Sequence, residues 1–504
     1  MADSADSTPH TATTSLRHKT VRGMMWVAMQ GVATRGVGMV QQLLLAWLLA
    51  PKDFGLIALA LTVSTLVGLL SNPGIDSVLV QRQRRFRHWA TPAFWLGMTT
   101  GLVGMVVTAI AAPVAAWAYR RPELVGLILV MATAAPLQTL QIIPRAKLQA
   151  ELRFRTVVTL TTLGYVLTAV LAVVFAYFGF GAYSFAIPVP IVAGIMAAVA
   201  WRVVHPTIHR HPHFGRWKYL LGDSAALGGT RIVNTIVNQG DYFCLGLAGM
   251  SDESIGVYYF AFRLSTQSFS LLANVVPAVL FPSLSRLTLD PGLQVRSTMR
   301  ATRLFALVSM PFCLLQILLA RPAIELLCPS GWLDSVLPLQ ILTLGIMFNA
   351  PSWSAASLMM AQRRFRKLLW VSICYSIVFF ALVVGALMIQ RSIVTVALAV
   401  ALWHFWGSSY VYWVALRPAV RWYGLYLEII RPLFAGAISF VASVLAIALL
   451  PSGRLGDTAT LVIATIIYCP VYVTLLRRLA VKDLRDLLTQ IQPILDRVTG
   501  SAAW

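Results

Sequence analysis

The sequence predicts an all-α integral membrane protein of about fourteen transmembrane helices, built as two pseudo-symmetric six-helix lobes plus two extra C-terminal helices. Three observations carry this prediction. The 504 residues are 58% hydrophobic and only 12% charged, with a mean hydropathy of +0.75, a composition that soluble domains do not have. Apolar runs near the roughly 20 residues a bilayer span needs recur between charged or Pro/Gly-rich breaks. Lys and Arg gather in every second connection, as the positive-inside rule requires.

In chain order, residues 1–18 are polar, lack the apolar core of a cleavable signal, and read as a disordered cytoplasmic tail. Residues 19–204 form an N-lobe of six spans: 21–50, 54–80, 92–116, 124–143, 157–178 and 183–204. Residues 205–218, with His205, His209, His211 and His213, form a cytoplasmic inter-lobe linker. The C-lobe, 219–416, holds spans 219–250, 255–281, 302–320, 337–360, 368–389 and 393–416. The pair of extra helices, 433–450 and 458–476, lies within 417–480. In the last segment, 481–504, Leu484, Leu487, Leu488, Ile491 and Leu495 recur at helical spacing, so it reads as an amphipathic helix on the membrane surface or under the bundle.

The formal charge of +22 is explained by topology. With both termini inside, most of the 40 Lys and Arg fall in inside connections, such as Arg82 to Arg87, Arg145 to Arg155, and Arg363 to Lys367. This distribution argues against nucleic acid as a partner. The five cysteines have no metal-ligand spacing and read as small packing residues. No connection is long enough for a soluble catalytic domain, and Gly179 with Gly181 is too short to be a nucleotide fingerprint, so no enzyme is expected.

Internal repetition orders the spans. Pro51-Lys52-Asp53-Phe54-Gly55 is echoed by Ser251-Asp252-Glu253-Ser254-Ile255-Gly256. Leu152-Arg153-Phe154-Arg155 is echoed by Arg363-Arg364-Phe365-Arg366, and Ala135-Pro136 by Ala350-Pro351. Six spans thus map onto six in the same orientation, the pattern of a duplicated transporter.

Several blocks closely resemble the polysaccharide transporter branch of the multidrug/oligosaccharidyl-lipid/polysaccharide exporter superfamily, nearest to Wzx-type flippases of the colanic acid and xanthan exporter kind. They are Asp53-Phe54-Gly55; Gly74-Ile75-Asp76-Ser77 with Leu79-Val80-Gln81-Arg82; Glu151-Leu152-Arg153-Phe154-Arg155; Asp241 followed by Gly256 and Tyr259; and Phe281-Pro282-Ser283-Leu284-Ser285-Arg286. The resemblance implies a flippase for undecaprenyl-diphosphate-linked oligosaccharide repeat units in the bacterial cytoplasmic (inner) membrane, working by alternating access of two lobes. Membrane lipids, a polysaccharide polymerase and export machinery are the partners it implies.

The residues that would handle such a substrate can be read independently. Arg35, Arg231 and Arg263 stand inside long apolar runs, where a guanidinium is costly unless it lines a polar cavity or meets an anion. At 1.5 Å per residue Arg35 lies about 21 Å along its span, Arg231 about 18 Å, and Arg263 about 12 Å from the outside. Arg231, Asn234, Asn238 and Asp241 share one helical face, as do Gly31, Arg35, Gly38 and Gln42. Guanidinium forks suit phosphate oxygens, so Arg35, Arg231 and Arg263 are assigned to the diphosphate and Gln41, Gln42, Asn234 and Asn238 to sugar hydroxyls. The competing reading pairs Arg231 or Arg263 with Asp241, or lets Arg263 snorkel to the outer headgroups. No ATP-binding motif or other cofactor is expected; Asp241 and Asp76 are the candidate acids for ion coupling by H+ or Na+. The alternatives to a flippase are an ion-coupled multidrug exporter of the same superfamily and a membrane-embedded polymerase or glycosyltransferase.

Overall fold

The computed structural model describes residues 9–71, 74–81, 86–209, 211–273, 280, 284–285, 287, 290–417, 419–421, 423–448 and 457–479, with the side chains of 9–28, 222–231 and 268–273 and of a few single positions excluded. The expected amphipathic segment 481–504 lies outside the described residues, as do Asn72-Pro73, Phe281-Pro282-Ser283 and Arg286. Every regular element among the described residues is helical.

By compactness the chain divides into two units, Met1–Gly256 and Val257–Trp504. The first contains α1 (Pro9–Leu48), α2 (Pro51–Ser71), α3 (Ile75–Gln81), α4 (Phe86–Tyr119), α5 (Leu124–Ala132), α6 (Ala134–Thr139), α7 (Ile142–Ala150), α8 (Phe154–Tyr177), α9 (Tyr183–Ala186), α10 (Pro188–Val204) and α11 (Trp217–Leu247). α12 (Asp252–Ala273) starts in the first unit and runs into the second. The second continues with α13 (Pro291–Leu327), α14 (Val336–Met347), α15 (Ala350–Ala361), α16 (Phe365–Ile389), α17 (Ile393–Leu416), α18 (Gly424–Ala448) and α19 (Asp457–Leu479).

α1 begins at Pro9, inside the segment 1–18 expected as a tail: proline is preset for the first helical turn, and no Gly or Pro follows until Gly23, while residues 1–8 lie outside the described residues. Against the fourteen spans expected, ten helices among the described residues are long and apolar enough by themselves to cross a membrane, or eleven counting the bent pair Leu124–Thr139 and Ile142–Ala150. α1, α11 and α12 are 40, 31 and 22 residues long but do not meet that test. They are the helices that carry Arg35, Arg231 and Arg263, and their polar residues dilute the apolar run.

Within unit 1 the helices thread back and forth as the charge pattern predicts. At one end the turns after α1, α4, α8 and α11 meet. Asp53 lies beside Gly181, Phe54 packs edge-on to Phe185 with ring centroids 5.1 Å apart, and Arg121 Nε donates to Asp252 Oδ1 at 2.7 Å. At the other end lie the basic turns. The 205–218 segment is no free linker there: Trp95 Nε1 donates to the His209 carbonyl at 3.1 Å and His209 N–H to Thr91 Oγ1 at 3.2 Å. Lys147 Nζ donates to the carbonyl of Val204, the last residue of α10, at 3.2 Å, placing a cation on a helix C-terminus. Lys367 does the same near the end of α17, donating to the Val414 carbonyl at 2.9 Å.

The sequence repeat reappears in the backbone of each unit. α5 and α6 break at Thr133, three residues before Pro136, and α14 and α15 break at Phe348-Asn349, just before Pro351. Downstream, Leu152 has φ 55° and Arg363 φ 56°. Each is followed by an arginine cap and then by a helix opening on phenylalanine, Phe154 and Phe365. A non-glycine residue in the left-handed region costs about 1–2 kcal/mol, and both copies carry it at the matching position.

Prolines inside helices fix how the helices dock. Proline has no N–H for the carbonyl four residues earlier, and a buried carbonyl without a donor is costly. Pro311 in α13 orphans the Leu307 carbonyl, and Tyr472 Oη of α19 donates to it at 2.7 Å. One turn on, Tyr468 Oη donates to the Pro311 carbonyl itself at 3.0 Å, its ring stacked on that of Tyr472. In unit 1, Pro144 orphans Leu140 and Trp201 Nε1 donates at 2.8 Å; Pro92 orphans His88 and Arg216 donates at 3.0 Å. The C-terminal pair α18–α19 is thereby joined to α13 beside a buried cluster that includes Met310, Cys313, Leu358 and Tyr412. Tyr472→Phe removes the only atom of that ring able to donate, and should destabilise unit 2 by about 1–3 kcal/mol, read as a lower thermal unfolding midpoint of the purified protein in detergent. An unchanged midpoint would show that the Leu307 carbonyl does not need this donor.

Candidate functional site

In unit 1 a cavity of about 580 Å³ opens among α2, α4, α5, α6, α10 and α11. The break between α5 and α6 makes part of its wall, through Met131, Ala132, Ala134 and Ala135. Pro136 cannot donate to the Ala132 carbonyl, so the helix must re-form its hydrogen bonding beside the cavity. α2 contributes Ser64, Thr65, Gly68 and Ser71, α6 contributes Gln138 and Thr139, and α11 contributes Asn234 and Thr235. Counted from the ends Pro51 and Leu247, Ser64 and Asn234 both stand about 20 Å in, at mid-membrane depth. No ionisable side chain and no aromatic ring is in the lining among the described residues.

The sequence-predicted residues separate into groups. Asn234 lines the cavity and is exposed to it, and Asn238 is exposed one turn further along the same helix. Arg35 is half-buried on α1, about 20 Å from the Leu48 end; Gln41 is half-buried and Gln42 is buried. None of these three is in the cavity wall, since α1 packs chiefly on α8 while α11 packs on α2, α3 and α4. Arg231 belongs to α11, but its side chain lies outside the described residues. Arg263 is exposed on α12; its Nε donates to Tyr259 Oη at 2.9 Å, and its Cζ lies 5.1 Å from the Tyr259 ring centroid. Tyr259 is one turn nearer the helix start, so the guanidinium is directed toward that end.

The two acids differ. Asp241 is 2% exposed, and its Oδ1 accepts from the Tyr242 N–H at 2.9 Å. Asp76, in the first turn of α3, has Oδ1 buried with no partner among the described residues. No group of three or more His, Cys, Asp or Glu that could hold a metal occurs among the described residues.

Sequence reasoning missed three features. Gln239 accepts from Thr62 Oγ1 at 3.2 Å, tying α11 to α2; its position beside Asn238 was the available signal. Arg121, in the turn between α4 and α5, bonds Asp252 and also donates to the Met250 carbonyl at 3.3 Å. Gly55 and Gly256, noticed as repeat partners, are in fact in contact: a Cβ on Gly55 would stand 1.9 Å from the Asp252 carbonyl oxygen, and one on Gly256 would stand 1.8 Å from that of Pro51. The starts of α2 and α12 therefore cross backbone to backbone. Both starts are capped: Asp53 Oδ2 accepts from the Ala50 N–H and Ser251 Oγ from the Ser254 N–H, each at 3.2 Å.

An all-helical bundle with long apolar helices, a duplicated architecture and a polar cavity at mid-membrane depth defines a multi-pass membrane protein of transporter fold. The fold is that of a solved lipid II flippase, MurJ in an inward closed conformation, with a TM-score of 0.70 at 14% identity over 89% of this chain and 99% of that one. The chain belongs to the polysaccharide biosynthesis protein family, whose model matches residues 44–337. Among its relatives is the succinoglycan biosynthesis transport protein ExoT of Rhizobium meliloti (strain 1021), 26% identical over 339 residues, 66% of this chain and 68% of that protein. Another is the lipopolysaccharide biosynthesis protein WzxC of Escherichia coli (strain K12), 25% identical over 382 residues, 69% of this chain and 71% of that protein.

The glycine crossing makes a direct prediction. Gly55→Ala and Gly256→Ala each force the helix starts apart and should cost about 1–3 kcal/mol as overpacking, read as a lowered thermal midpoint. Gly385→Ala, at a position with nothing within 4 Å, should leave the midpoint unchanged. Equal midpoints for all three variants would mean the crossing yields without strain.

Proposed function

We propose that the chain is a flippase that moves undecaprenyl-diphosphate-linked oligosaccharide repeat units across the bacterial cytoplasmic membrane, by alternating access and with both termini cytoplasmic. The observation that carries this reading is a guanidinium, Arg35, held half-buried at mid-helix in an apolar chain of a polysaccharide biosynthesis family. A permanent cation at that depth is costly unless an anion or polar medium meets it, and a lipid diphosphate is such an anion. The name of ExoT as a transport protein supports transport over enzymatic chemistry. The lining among the described residues, without charge or ring, supports an oligosaccharide over the organic cations a multidrug exporter would bind with acids and aromatics.

In this reading Arg35, Arg231 and Arg263 receive the diphosphate, and Gln41, Gln42, Asn234 and Asn238 meet sugar hydroxyls. H+ or Na+ drives the cycle through Asp241 or Asp76, and no other cofactor takes part. The unpartnered Asp76 oxygen favours Asp76 as the acid that takes up the ion. A polysaccharide polymerase and export machinery act downstream.

Deleting the gene should make the lipid-linked oligosaccharide accumulate on the cytoplasmic leaflet and stop polymer export, measured by extraction of the labelled lipid fraction. Continued export without accumulation would refute the reading. In that deletion strain, Arg35→Ala and Arg231→Ala should reach the membrane yet lower export well beyond tenfold, as loss of a desolvated charge contact costs about 2–5 kcal/mol. Arg35→Lys should restore only part, since an ammonium lacks the planar fork. Asp76→Asn should remove the dependence of export on the ion gradient. Wild-type export from both alanine variants would leave the arginines with a structural role.

A further inference from the structure

We infer that the unit 1 cavity is a transit subsite for the neutral sugar portion of the lipid-linked substrate. The inference rests on the flippase reading and goes beyond it by assigning the site and its chemical class. Thr65, Gln138, Asn234 and Thr235 line the cavity, and their side chains make no hydrogen bond among the described residues. Ser71, only 6% exposed, also lines it, and its Oγ has no partner among the described residues. By contrast, the Thr108 and Thr139 hydroxyls already donate to the Gly104 and Pro136 carbonyls, at 2.7 and 2.8 Å. The wall therefore keeps a set of uncommitted amides and hydroxyls in a cavity of about 580 Å³, inside the roughly 300–1,000 Å³ range of small-molecule sites.

The chemistry of that set selects the ligand. Amides and hydroxyls both donate and accept, as sugar hydroxyls do, so each can pair in either sense. A diphosphate would need cations and an organic cation would need carboxylates or rings, and the described lining has none of these. Leu61, Leu69 and Met131 supply an apolar surface for the C–H faces of the sugar. With no aromatic platform the site binds weakly, as suits a ligand that must leave on the other side.

Gly68 makes the test clean, because it lines the cavity and a Cβ there meets nothing within 4 Å. In the deletion strain, Gly68→Phe should block polymer export while protein level and thermal midpoint stay at wild-type values. Gly385→Phe, in open space on α16, should export normally. Full export from Gly68→Phe, or equal loss in both variants, overturns the inference. If Gly68→Phe fails to reach the membrane, Gln138→Leu and Asn234→Leu decide: each should lower export about tenfold, the cost of one hydrogen bond, and unchanged export from the pair refutes the subsite. Failure of the flippase reading looks different, since the deletion strain itself would then export polymer.

Discussion

The constraint on which the rest of this structure depends is that a carbonyl inside hydrocarbon must find a donor. The chain breaks its own helical hydrogen bonding at Pro92, Pro144 and Pro311, then repairs each break with a side chain from another helix: Arg216, Trp201 and Tyr472. Each repair is directional, unlike the packing of one apolar helix on another. It sets which helix docks where and in which register. The C-terminal pair α18–α19 is attached to α13 in this way, by two tyrosines reaching consecutive turns of a proline-interrupted helix.

A second set of breaks falls between consecutive short helices. Pro136 and Pro351 interrupt corresponding helices in the two units, and the first interruption lies in a cavity wall. Non-helical backbone at membrane depth is tolerated where it lines a polar space, so the same residue type serves as docking point and as cavity builder.

Arg35 belongs to α1, packed on α8, whereas the hydroxyls and amides of α2, α6 and α11 face a cavity that contains no charge among the described residues. The reciprocal contact of Gly55 and Gly256 brings the starts of two repeat-related helices to backbone distance, with the Arg121–Asp252 pair beside it.

Much of this was legible in the sequence, because hydrophobic length, charge alternation and repeated motifs are local properties of a chain in a bilayer. The direction of each helix in unit 1, the paired breaks at Ala135-Pro136 and Ala350-Pro351, and the matching turns at Leu152 and Arg363 all follow from such patterns. So did the polar face of α11 that carries Asn234. The sequence counted fourteen spans where, among the described residues, ten or eleven helices pass on apolarity alone, and α1, α11 and α12 carry the polar stripes that keep them below that mark. Only the tertiary structure decided that Asn234 faces Ser64 and Gln138, that Arg263 lies over Tyr259, and that residues 205–218 fold back onto α4. Helical periodicity tells which residues share a face, but the partner of that face is chosen by packing and by the need to satisfy freed backbone groups, which no single segment contains.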